Sequence, residues 1–275
     1  MTQIAPALRP SPARAADKAM RRSASLWVYT ALIGQMAFAL YVAAFYGGAA
    51  LGGRFEDWNE VLVGGYRPGG TVGNVVLGVH LLLAVVITLA GPVQLLPWLR
   101  KRAAGLHRWN GRIYMVAAIV ISLAGLYAVW TRGTAGGVAM RVGVSLNGLL
   151  IIASAALAWR AALGRRFDVH RRWALRLFLL VSGVWFFRIG LMLWILIHQA
   201  PVGIGKDFDG PFVRFLAFGC YLIPLAVLEL YLRAGDQKGA AMRWTTAGLL
   251  LILTLCTAVG IFGAFMGMWL PHFAA

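Results

Sequence analysis

Long apolar stretches separated by short basic segments set the rhythm of this chain. Seven of them, 26–46, 74–96, 113–131, 142–159, 177–198, 215–232 and 245–270, approach or exceed the roughly 20 residues a helix needs to cross a bilayer. In hydrocarbon a lone segment must satisfy its own backbone amides, so such runs read as helices. The pattern predicts an all-α fold, a polytopic membrane bundle of seven transmembrane helices. Residues 1–22, rich in Ala, Pro and Arg without apolar periodicity, read as a flexible cytoplasmic tail, and 23–275 as a single transmembrane domain with its core at 74–198.

Composition agrees with the pattern. Hydrophobic residues make up 60% and charged residues 13%, against about 25% charged in a soluble globular domain. A net charge of +17 would suit nucleic acid. Here, however, the cations flank stretches of membrane length, so the expected partner is a lipid bilayer with anionic lipids and no nucleic acid. Nineteen Lys and Arg fall on one side of the spans: the N-terminal tail and the 2–3, 4–5 and 6–7 connections. Six fall on the other: Arg54, Arg67, Arg132, Arg141, Lys206 and Arg214. The positive-inside rule then puts the N-terminus inside and the C-terminus outside, in a bacterial cytoplasmic (inner) membrane. Cys220 and Cys256 stand alone without metal-ligand spacing. With no phosphate-binding glycine motif either, a soluble nucleotide-driven activity is not expected.

The middle of the chain is weakly duplicated. Spans two and three resemble spans four and five, which predicts a parallel repeat of two helical hairpins. Each repeat carries a His-Arg-Trp segment: His107-Arg108-Trp109 with Arg112, and His170-Arg171-Arg172-Trp173 with Arg176. Both segments precede an apolar run, where the positive end of a helix dipole disfavours more cations. Anionic lipid phosphates offset that cost in the simplest reading. The sharper reading is a specific anion held by helix amides and guanidinium forks. Asp168 is placed to cap the fifth span. Histidine is not required for topology, and repeat symmetry sets His107 and His170 at one depth. They are therefore candidate axial ligands of a b-type haem, with Arg108, Arg112, Arg171 or Arg176 pairing its propionates.

Two ionisable residues fall well inside spans, His80 in the second and Arg188 in the fifth. A central arginine costs about 2.5 to 3.5 kcal/mol or more, so Arg188 is expected to face inward. Asn147, Ser145 and Tyr127 lie at similar depth and are the expected partners of a buried polar pocket with His80. Gly91-Pro92 interrupts the second span, with Gln94 just after it. A kink there offers a lateral pocket for a quinone or lipid. Glu229 is expected to pair with Arg233, one turn on.

Taken together, His80, Gly91-Pro92-x-Gln94, His107-Arg108-x-x-Gly111-Arg112-x-Tyr114, Gly136-Gly137, His170-Arg171-x-Trp173, Arg176 and Arg188 resemble a bacterial multi-pass membrane family known as domain of unknown function 2306. That resemblance implies a membrane protein and lends no mechanism. Spans two to five also resemble, more faintly, the four-helix cores of b561-type membrane cytochromes. Such cores carry a histidine in the fourth span, where this chain has Ser145 and Asn147. The functional expectations are a redox protein holding one b-type haem or a quinone, a binding or transport protein for an anionic lipid or small molecule, or a structural subunit of a membrane complex or homo-oligomer.

Overall fold

The computed structural model describes residues 11–237 and 239–273. Helix α1 (Pro12–Val42) runs on through a π-helical turn, Ala43–Gly47, into α2 (Gly48–Leu51). Helices α3 (Thr71–Leu95), α4 (Pro97–Arg102), α5 (Ala104–Thr131) and α6 (Gly137–Leu163) follow. The remaining helices are α7 (Phe167–Val181), α8 (Gly183–His198), α9 (Pro211–Asp236) and α10 (Ala240–Ala264). Among the described residues, six continuous helical runs are long and apolar enough to span a membrane, and α7 with α8 make a bent seventh. The fold is thus a multi-pass helical membrane bundle.

Several boundaries move outward from the apolar runs. Residues 12–22 do not form a loose tail but the first turns of α1, with Ala16 and Met20 buried beside Ala234 and Ala247; residues 1–10 lie outside the described residues. The basic segments before spans three and five are also helical, so α5 starts at Ala104 and α7 at Phe167. Charge forbids hydrocarbon, but it does not forbid helix. Pro92 lies inside a continuous α3 rather than breaking it, because the helix ends only three residues later at Leu95.

Helix α1 packs along α10, α3 along α5, and α6 lies against both α5 and α7. Helix α8 joins the halves by touching α9 and α10. Small residues set these approaches, as expected where lipid supplies no hydrophobic drive between helices. A Cβ on Gly260 would meet the Ile189 carbonyl oxygen at 2.6 Å, so α10 comes this close to α8 only with glycine there. At the end opposite the basic turns, the 3-10 turn Phe55–Glu60 inserts Trp58, whose indole donates to the Tyr46 carbonyl at 3.1 Å. The Arg132 guanidinium closes the same loop, donating to Asn74 Oδ1 at 2.8 Å and to the carbonyls of Gly64, Gly65 and Gly70.

The fifth span bends by 52° between Val181 and Gly183. Ser182 sits there with φ −73° and ψ −2°, and the turn leaves carbonyls without their usual helical partners. Asn147 of α6 replaces one of them, donating from Nδ2 to the Leu180 carbonyl at 3.1 Å. Ser182 Oγ adds a second donor, at 2.8 Å, to the Phe178 carbonyl, which keeps its bond from the Ser182 amide at 3.1 Å. Gln35 of α1 donates in turn to Ser182 Oγ at 2.9 Å. Gly183 makes room, since a Cβ there would stand 2.9 Å from Asn147 Nδ2. Replacing Asn147 by Leu strands the Leu180 carbonyl and is expected to cost about 1–2 kcal/mol. A thermal melt of the purified protein in detergent should fall for Asn147→Leu and hold for Ser145→Ala, whose hydroxyl binds only the exposed Trp130 indole.

Candidate functional site

His107 and His170 occupy the same place in their helices, the fourth residue of α5 and of α7. Each backbone amide closes the first turn onto the residue before its helix, His107 onto Ala103 and His170 onto Arg166, both at 2.9 Å. The duplication is therefore geometric as well as textual. Asp168 lies within the first turn of α7 and caps nothing; the N-cap position belongs to Arg166. A carboxylate there still complements the dipole.

Both histidines line one cavity of about 1850 Å³ that opens at the basic end of the bundle. Arg21, Arg108, Arg112, Arg165 and Arg171 ring it with Asp168, and apolar residues of α7 to α10 continue its wall into the bundle. Cys220 and Cys256, unpaired and half-buried, face this space from α9 and α10. His170 donates from Nδ1 to the Ala158 carbonyl at 2.9 Å, which leaves Nε2 as its other ring nitrogen. The His107 carbonyl accepts from Gln94 Nε2, also at 2.9 Å.

Arginines of the two repeats sort by face. Arg172 pairs with Asp236 at 2.7 Å and Arg176 with Glu229 at 2.7 Å, both across to α9. Arg176 is thereby removed from the expected anion site: it lies over the Trp173 ring and does not line the cavity. The expected Glu229–Arg233 pair is replaced by this link, since a partly buried carboxylate gains more from a neighbouring helix than from an exposed residue on its own. Arg108, Arg165 and Arg171, on the cavity side, pair with no carboxylate among the described residues. Arg112 stacks on Trp109 at 5.1 Å, and Arg21 pairs with Asp17. The cavity mouth thus concentrates cations that the protein does not neutralise.

The polar pocket expected from depth alone does not form. His80 binds the Ile121 carbonyl at 3.1 Å and lies against Gly125. Arg188 bonds the Val184 carbonyl of its own helix at 3.3 Å and covers the Phe38 ring of α1 at 5.1 Å. Asn147 serves the bend, Ser145 accepts from Trp130, and Tyr127 is 41% exposed. Equal depth does not give equal azimuth around a bundle, and these five face different neighbours. His272 packs edge-on against Phe45 at 4.9 Å.

Gly91 and Gln94, expected beside a lateral pocket, line the cavity wall with Gly111 and Tyr114. Gly91 lies against Tyr114, and a Cβ there would meet the ring at 3.0 Å and the hydroxyl at 3.3 Å. Gln94 rests on Gly111, where a Cβ would meet Nε2 at 3.0 Å. Asn110 donates to the Ala90 carbonyl at 3.1 Å. Their three-residue spacing on two helices was the available signal. Gly91→Ala should push the buried Tyr114 ring and cost about 1–3 kcal/mol, seen as a lowered melting temperature, and the drop it causes should be smaller when made in a Tyr114→Ala background.

A bundle of this kind defines a multi-pass membrane protein with an internal, basic-mouthed cavity. The chain belongs to the family described as predicted membrane protein (DUF2306), whose model matches residues 77–232, more than half of it. No curated protein and no solved structure matches the chain.

Proposed function

We propose that this protein binds an anionic amphiphile of the membrane, with the head at the arginine mouth and the tail along the apolar wall. The observation that carries this reading is the sorting of arginines. Those facing α9 have carboxylate partners, whereas Arg108, Arg165 and Arg171 at the cavity have none. Cations drawn together in excess over the one carboxylate in their ring, Asp168, repel one another, and a bound anion relieves that repulsion while accepting hydrogen bonds. The N-termini of α5 and α7 add free amides and positive dipole ends at the same place. The basic end faces the cytoplasm by the excess of cations there, so the ligand comes from the inner leaflet.

A second reading is favoured by one observation, that both histidines line the cavity and His170 holds its Nδ1 on a backbone carbonyl. That arrangement orients Nε2 as ligating histidines are oriented, and it suits a b-type haem with the mouth arginines at its propionates. Haem would supply one-electron chemistry; the chain would supply position and charge.

Two measurements separate these readings. Native mass spectrometry of the purified protein should show phosphatidylglycerol retained over phosphatidylcholine, with the Arg108→Gln/Arg171→Gln double variant losing that preference about tenfold or more. Arg172→Gln should keep it. Equal retention of both lipids by the wild type would refute the amphiphile reading. A Soret band after haem-replete expression, lost in His107→Ala and His170→Ala, would establish the second reading, and a colourless preparation would remove it.

A further inference from the structure

Two polar atoms in the cavity wall have no hydrogen-bond partner among the described residues: the Tyr114 hydroxyl and Gln94 Oε1. Tyr114 is only 6% exposed, and a buried hydroxyl left unmatched costs about 1–3 kcal/mol. The surrounding sequence does not relieve that cost. It maintains the arrangement with glycines at the two contact points, Gly91 beneath Tyr114 and Gly111 beneath Gln94. Gly91 and Gln94 are three residues apart on α3, as are Gly111 and Tyr114 on α5. The two contacts are therefore about one turn, some 4.5 Å, apart along the seam.

The hydrogen-bond directions are fixed. Gln94 gives its amide Nε2 to the His107 carbonyl, so Oε1 is the acceptor that remains, and it requires a donor hydrogen. The Tyr114 O–H is free to donate. A hydroxyl group meets both needs at once, with its hydrogen on Gln94 and its oxygen accepting from Tyr114. An anionic head without a hydroxyl, its charge held at the arginine mouth, meets neither need.

We infer that Tyr114 and Gln94 form a donor–acceptor subsite that selects an amphiphile with a hydroxyl on its head group. This rests on the proposed binding of an anionic amphiphile at the arginine mouth and adds which anionic head is preferred. The backbone carbonyl of His107 ties the two levels together, since the residue that places an imidazole at the mouth also orients Gln94.

The test compares two lipids of equal charge, phosphatidylglycerol, which carries hydroxyls, and phosphatidylmethanol, which carries none. Binding of each to the full-length protein in detergent is measured by native mass spectrometry. The wild type should prefer phosphatidylglycerol about tenfold, the size of one good buried hydrogen bond. Tyr114→Phe should erase most of that preference and leave phosphatidylmethanol binding unchanged. Gln94→Met provides a second route to the same result should Tyr114→Phe fold poorly. If both lipids bind equally to the wild type, the two atoms belong to an ordered water and the subsite is refuted; a preference that survives both variants refutes it as well. If neither lipid binds better than phosphatidylcholine, the amphiphile reading itself fails, an outcome distinct from the loss of selectivity alone.

Discussion

Backbone satisfaction at the bend in the fifth span is the constraint on which the rest of the bundle depends. Inside a membrane a helix cannot turn at Ser182 without side chains to take over the lost bonds. Asn147 takes over at the Leu180 carbonyl, Ser182 Oγ adds a bond to that of Phe178, and Gln35 holds the serine from α1. One joint therefore ties α1, α6, α7 and α8 together. Because α7 and α8 part direction there, the inner half of the span packs on α6 and α9. The outer half meets α9 and α10, and the apolar wall of the chamber follows the bend through Leu177, Phe178 and Ile189.

Charge is handled by two devices at the basic end. Across the α7–α9 face, ion pairs join helices that otherwise meet through Leu179, Leu228 and Leu232. Such partly exposed pairs contribute little stability each, but they fix which side of α7 looks outward. His170 and Arg171 then turn toward the chamber as a consequence of helical periodicity. Register on one face decides the chemistry of the other.

The spans were legible in the sequence because hydropathy and flanking arginines report the same physics. The paired histidines were legible too, since repetition in sequence became an identical helical position. Contacts between helices were not. Arg188 reaches Phe38 and Glu229 reaches Arg176 because of rotations about helix axes, which depth along a span does not encode. The Gly91–Tyr114 and Gln94–Gly111 contacts were half legible: the spacing was visible, but the pairing of α3 with α5 was needed to show that each glycine serves a side chain on the other helix. Residues 12–22 misled because a helix outside hydrocarbon needs only one buried edge, here Ala16 and Met20.

The bend at Ser182 also bears on how the protein sits in bilayers of different thickness. A straight span meets a thinner membrane by tilting as a whole, which moves both its ends. A jointed span can change the angle at its middle while its ends stay at their interfaces. The wall of the chamber is built on that joint, so lateral pressure and acyl-chain length act on the shape of the cavity directly, and the lipid that surrounds the protein becomes a variable of the site inside it.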